Sequence, residues 1–305
     1  MSGPATTADT AAEAQSTVAQ TSVLEVTESR VSHVGEFQVR RALPRRTRRM
    51  VGPWCFIDHM GPATVDERGL GVAPHPHIGL QTVTWLLAGE ALHRDSLGTE
   101  QVIAPGQLNL MTAGHGVSHS EEGTGRSHGE LHGVQLWVAQ PAATRDEPPG
   151  FEHHGELPRV EFGTAVATVL VGELDGAASP ARRDTDHGGI DLDLRPGRAT
   201  IPLRSDYEHA LVVFAGACIV EGAVVEPGHL AYLGVDRDEI TLDVEEPTQA
   251  LLVGGVPFDD AVLMWWNFVA RTRDEITAAR DDWHSSGARF GDVRSELARI
   301  AAPEN

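Results

Sequence analysis

The sequence predicts an all-β protein built from two similar barrels, and three observations predict it. Glycine and proline are abundant, at 32 and 18 of 305 residues, as a chain with many turns requires. Short runs interleave side chains with the period of a strand: Val83, Trp85 and Leu87 with Thr82, Thr84 and Leu86, and Leu108 and Leu110 with Asn109 and Met111. The plan is then used twice. Leu87-Ala88-Gly89 is echoed by Phe214-Ala215-Gly216, and Val102-Ile103-Ala104-Pro105-Gly106-Gln107-Leu108 by Val224-Val225-Glu226-Pro227-Gly228-His229-Leu230. Gly89 stands 16 residues before Pro105 and Gly216 stands 11 before Pro227, so one hairpin carries an insertion.

Taken in order, Leu24 to His59 is strand-like, with Phe37, Val39, Phe56 and Ile57 as core candidates. Met60 to Pro74 reads as a Gly/Pro-rich loop, and Gln81 to Leu87 as a strand that turns at Gly89-Glu90 into Ala91–Asp95. Another strand covers Gly133 to Val138, and Pro141 to Gly155, with Pro148-Pro149-Gly150, reads as a connection. The expected organisation is a tail over 1–22, a first barrel over 23–142, a linker over 143–158, a second barrel over 159–258 and a strand/helix segment over 259–305. In that last segment Thr272 and Glu275 form a capping box. Ile276, Ala279 and Trp283 make the helix's apolar stripe and Ser285-Ser286-Gly287 ends it, so the helix should dock on a barrel wall.

Composition narrows the function. A hydrophobic content of 41% and a charged content of 22% supply a core and belong to a globular chain. A net charge of −20 argues against a nucleic-acid or anionic-membrane binder. The basic cluster Arg40, Arg41, Arg45, Arg46, Arg48 and Arg49 is read as a solvated strand pair facing the surplus carboxylates. Cys55 and Cys218 sit beside apolar residues and make no disulfide framework, which fits the cytoplasm. The first residues lack a basic or apolar leader region, and a disordered tail is expected there. No apolar run approaches the ~18 residues of a membrane span.

The chemistry is concentrated in His75-Pro76-His77 and His119-Ser120-Glu121, two alternating pairs of metal-capable side chains that bracket a strand–turn–strand block. Residues two apart in a strand point to one side, so each pair can aim both members into one cavity. Among 15 histidines one such pair means little; two with the same alternation point to a single-metal site inside a small barrel. His93, His115, His128, Glu130 and His132 are competing ligands, and His128/Glu130 alternate as well. His115 is assigned a place behind the ligands or at the cavity rim, while His153 and His154 are read as solvated. Three imidazoles and a carboxylate leave positions open on a six-coordinate ion, the logic of non-haem Fe(II) sites, although Mn, Co, Ni or Zn would also bind. The corresponding positions of the second repeat are Pro202, Arg204, Thr241 and Asp243, so that barrel should be metal-free.

These residues carry a resemblance. His75-Pro76-His77, Thr82-Val83-Thr84, Gly89, the Pro105-Gly106 turn, Met111-Thr112-Ala113-Gly114, Gly116, His119, Glu121 and the strand Gly133 to Val138 resemble the N-terminal barrel of the pirin family. The resemblance implies a bicupin, two face-to-face cupin (double-stranded β-helix) barrels with a C-terminal helix and one iron in the first. It implies His75, His77, His119 and Glu121 as the ligands. Many relatives carry Glu where this chain has Gln81, and Arg where it has His115. Gln81 is a poor ligand beside three histidines, and is expected, like His93, to orient a ligand or a water.

The function implied is an Fe(II)-dependent dioxygenase acting with O2 on flavonols such as quercetin, or on related enolic or phenolic substrates. Glu121 would take the substrate proton. The alternative is a regulatory protein whose metal or redox state sets a surface for a protein partner, without turnover. A purely structural metal fits less well, because closed structural sites favour cysteine-rich tetrahedra.

Overall fold

The computed structural model describes residues 24–34, 37–125 and 129–304. The expected tail over 1–22 and the candidate ligand His128 lie outside the described residues. Strands dominate, with one helix, Arg273–His284, among the described residues.

The first barrel has two sheets. A seven-stranded sheet runs in the order Gly150–His154, Leu108–Thr112, Leu80–Ala88, Gly129–Ala139, Trp54–Val65, Phe37–Leu43 and Arg30–Val34. A four-stranded sheet runs Val72–His77, Val117–Glu122, Ala91–Asp95 and Glu100–Ile103. The second barrel repeats this with a seven-stranded and a four-stranded sheet. The strand through Val65 shortens the loop expected over Met60 to Pro74. Gly150–His154, inside the expected connection, pairs with Leu108–Thr112 as an edge strand.

The alternation seen in the sequence has a specific cause. In the central strands of each seven-stranded sheet both faces are buried, one against its own barrel's interior and the other against the partner barrel. Val83, Trp85, Leu108, Leu110, Val134 and Leu136 join Val212, Phe214, Leu251 and Val253 of the second barrel in one cluster. Leu80 and Met111 point the opposite way, into the first barrel. Trp54 bridges the barrels: its buried indole donates to the carbonyls of Gly188 and Gly254, both at 3.1 Å.

Asp191 stands in the same interface, buried, with Gln249 Nε2 donating to its Oδ1 at 2.6 Å. Burial pushes its carboxyl up to about 6, with the Gln249 hydrogen bond pulling the other way. A carboxyl raised on folding stabilises the fold most below its unfolded value near 3.8 and loses that contribution as pH rises through about 6. Asp191→Asn keeps the acceptor for Gln249 and is expected to gain about 2–3 kcal/mol of unfolding free energy near neutral pH. Little gain is expected near pH 4. Urea unfolding of both proteins at the two pH values checks this, and an equal gain at both would refute the assignment.

The two ends of the described chain cross over. Glu25–Glu28, counted in the sequence with the first barrel, pairs instead with His229–Gly234 of the second. In return the segment after Gly255 packs on the first barrel: Ile78 bridges to Phe268, Ser118 Oγ donates to the Phe290 carbonyl at 2.8 Å, and the Ile300 amide donates to the Pro74 carbonyl. The helix forms as the sequence predicts. Thr272 Oγ1 accepts from the Glu275 amide at 3.2 Å, and Ile276, Ala279 and Trp283 are its buried face. Glu275 reaches one residue further back than a standard box, accepting from the Arg271 amide. Among the described residues no helix is long and apolar enough to cross a membrane.

Candidate metal centre

The site is built by strand register. Val117–Glu122 runs antiparallel to Val72–His77 with His119 opposite His75 and Val117 opposite His77. Opposed residues share a face, so His75, His77 and His119 all enter the barrel from one side. One ligand atom from each lies within 4.8 Å of the other two. All three rings are buried.

The nitrogens turned away from that point are already engaged. His75 Nδ1 lies 2.9 Å from the Ala73 carbonyl and His77 Nδ1 lies 3.0 Å from the Asn267 carbonyl. A carbonyl only accepts, so both rings carry their proton on Nδ1 and present a bare Nε2. Burial holds all three neutral: it brings His75 down to about 4 and leaves His77 and His119 well below the usual imidazole range. Yet His77 Nε2 and His119 Nε2 stand 3.1 Å apart. Neutral imidazole nitrogens converging in a buried pocket are the donor set of a transition-metal ion, and the residues present fit one.

Glu121 lines the same cavity but does not belong to the converged set. The register shifts between His119 and Glu121. The single Thr84 hydroxyl proton is shared between Glu121 Oε1 at 3.3 Å and Gln135 Oε1 at 2.9 Å. Burial raises the Glu121 carboxyl above the ordinary range. The three histidines are thus brought together and the carboxylate is held beside them.

The other sequence candidates take separate places. His93 stands behind His119, with its Nδ1 3.4 Å from His119 Nδ1. Gln81 is buried and donates to Thr112 Oγ1 at 3.1 Å, away from the cavity lining. His115 is exposed, its Nδ1 at 3.1 Å from the Glu147 carbonyl, and it does not line the metal cavity. Buried His132 instead pairs with His59 at 2.8 Å on the interface side, where His59 packs on Phe214, and Glu130 is exposed. His153 is bound to Asn109 Oδ1 at 2.7 Å. In the second repeat Arg198 pairs with Asp243, and Arg204 with Asp186 and Asp206.

Beside the histidines lies a cavity of about 630 Å3 whose walls include Phe56, Trp137, Met60 and Trp266. Phe56 and Trp137 stack at 4.0 Å, and Trp137 meets the His77 ring edge-on at 5.2 Å. Arg41 lies over Phe56 and is locked to buried Asp58 through Nε and Nη2, at 2.7 and 2.6 Å. Sequence reasoning missed Trp266 and Asn267. Trp266 holds a φ of +52°, costly for a residue with a Cβ, where the turn sets its ring in the cavity wall and the next carbonyl on His77.

The fold and the site define a bicupin with, among the described residues, one metal-capable centre, in its first barrel. A family model described as Pirin matches residues 36–138 and another, described as Pirin C-terminal cupin domain, matches residues 189–291. The chain belongs to the pirin family. It is 45% identical to a Pseudomonas aeruginosa protein named "Putative quercetin 2,3-dioxygenase" over 273 residues, 88% of this chain and 86% of that one. A pirin-like protein of Caulobacter vibrioides is 37% identical, covering 88% of this chain and 95% of its own length. A crystal structure of quercetin 2,3-dioxygenase from Acinetobacter baumannii superposes with a TM-score of 0.89 at 40% identity, over 92% of this chain and 95% of that chain.

Proposed function

We propose that the protein is an iron-dependent dioxygenase that cleaves flavonols of the quercetin type, or related enolic and phenolic substrates, with O2. The observation that carries this reading is the convergence of three buried, neutral imidazoles beside an aromatic-walled cavity of about 630 Å3. The names of the relatives at 45% and 40% identity support the substrate class.

His75, His77 and His119 would hold the ion, with Glu121 as a fourth ligand once its carboxylate turns from Thr84. Iron(II) bound there supplies a Lewis-acidic centre with positions open to a substrate oxygen and to O2. The chain's own groups do the rest. Phe56, Trp137 and Trp266 line the cavity, and their apolar ring surface would hold a planar ring and keep water from it. Glu121, its carboxyl raised by burial, takes the proton of the substrate hydroxyl and keeps it inside the cavity. Until it turns, Thr84 holds that carboxylate beside the histidines. The two buried, free thiols suit a reducing compartment, and we place the activity in the cytoplasm.

The test is O2 uptake by anaerobically Fe(II)-loaded protein given quercetin, beside a His119→Ala variant, with metal content measured in both. Flavonol-dependent uptake that disappears in the variant is expected. Wild-type protein that holds iron and consumes no O2 would overturn the enzyme reading in favour of a regulator that binds a protein partner.

A further inference from the structure

We propose that His93 and Asp95 are positioning residues that set which nitrogen of His119 carries the proton, and so which one faces the metal. This rests on the metal-centre reading above.

Ala91–Asp95 pairs with Val117–Glu122 so that Asp95 stands opposite His119 and His93 opposite Glu121. All four side chains therefore leave the sheet on one side. His93 Nε2 lies 3.2 Å from Asp95 Oδ2, and His93 Nδ1 lies 3.4 Å from His119 Nδ1. A carboxylate only accepts, so Asp95 keeps the proton of the His93 ring on Nε2. The His93 Nδ1 is then a lone pair, and its contact with His119 closes as a hydrogen bond only if His119 is protonated on Nδ1. His119 Nε2 is left bare, on the side of His77. The order runs from the carboxylate to the metal and is that of the metal-loaded site. With both Nε2 atoms turned to an ion, the 3.1 Å contact between His77 Nε2 and His119 Nε2 needs no proton, whereas a hydrogen bond there would require the opposite His119 tautomer.

The surroundings hold this row in place. Asp95 divides its work: Oδ1 accepts the amides of Leu97 and Thr99, both at 2.9 Å, while Oδ2 serves His93. Phe151, on the edge strand that the sequence disguises as linker, stacks on His93 with centroids 4.5 Å apart. Asp95 is buried, and the hydrogen bonds from His93 and Thr99 outweigh that burial and keep its carboxyl below the ordinary range.

The assignment makes an unusual ranking of variants. Asp95→Asn preserves the Oδ1 turn but offers an N–H to His93 Nε2. The row then reverses: His93 is protonated on Nδ1, donates to His119 Nδ1, and drives the His119 proton onto the nitrogen that faces the metal. His93→Phe keeps the stacked ring and removes both nitrogens, leaving His119 free to choose. The near-isosteric change is therefore the more damaging one, and His93→Phe should rescue it.

Co(II) affinity of the four proteins, measured by chelator competition with the visible Co(II) bands as signal, reads this without turnover. Asp95→Asn is expected to weaken binding about 10- to 100-fold. His93→Phe should weaken it less, and the double variant should match His93→Phe. Wild-type affinity in Asp95→Asn, or a double variant as weak as Asp95→Asn, would overturn the proposal. A second measurement needs no variant: long-range 1H–15N correlation of the Zn(II)-loaded wild type should show His93 protonated on Nε2 alone. A proton on His93 Nδ1 would overturn it. Wild-type protein that takes up neither Co(II) nor Zn(II) would remove the metal centre and this role together, whereas uptake with unaltered variants removes only this role.

Discussion

His77→Ala is expected to lose metal affinity by more than about 100-fold, beyond the range typical of losing an outer partner. His77 is one of three converging imidazoles, its ring is buried, and its Nδ1 is held by the Asn267 carbonyl at 3.0 Å. Alanine there removes a ligand and leaves a carbonyl with no donor. Glu121→Gln should behave differently. Its carboxylate lies outside the converged set and is engaged by Thr84 at 3.3 Å, so much of the affinity should remain. Gln cannot accept a proton, and flavonol-dependent O2 uptake should fall to background in that variant. Metal stoichiometry and O2 uptake, measured on both variants, separate the roles. A Glu121→Gln protein that holds metal as poorly as His77→Ala would show that the carboxylate is an indispensable ligand.

Trp54→Ala is expected to cost about 3–5 kcal/mol, the range for truncating a fully buried large aromatic. The ring leaves the first barrel to fill a slot in the second, where it meets the His187 ring edge-on at 5.2 Å. A Cβ on Gly189 would come within 3.0 Å of it. Its indole N–H serves two carbonyls of the second barrel, and alanine would leave both without that donor. Because these contacts join the barrels, the loss should also weaken their coupling. Urea unfolding followed by far-UV circular dichroism should show an earlier transition in the variant. A midpoint unchanged from the wild type would mean that the slot is not where the barrels hold together.

The metal-capable histidines were legible in the sequence because their signal is local. A strand's period of two makes His75/His77 and His119/Glu121 visible as pairs, and the repeated Pro-Gly turn makes the two barrels visible as copies. His93 was marked there on its own; Asp95, two residues on, was not, although its alternation with His93 matches that of the ligands. Three features were not legible. Glu25–Glu28 is four residues long and finds its partner at His229–Gly234, a pairing that no local pattern announces. Gly150–His154 follows Pro148-Pro149 and is polar, so its composition reads as linker although Phe151 covers His93. The hold on His77 comes from a backbone carbonyl at Asn267, and any residue supplies a carbonyl. Glu121 illustrates a subtler limit: spacing puts it on the right face, but the irregularity after His119 and the neighbouring Thr84 decide where its oxygens point.

The crossing of the chain ends bears on how the protein is made. A ribosome delivers His75, His77 and His119 long before Asn267, whose carbonyl orients His77, and Ile300, which lines the cavity. The strand Glu25–Glu28 emerges early yet waits for His229–Gly234 before it can pair. A nascent chain that has released only its first barrel therefore displays three histidines without the wall that shapes their cavity. The finished centre is assembled only once the segment through Ile300 has been made and folds back over the earlier-made barrel.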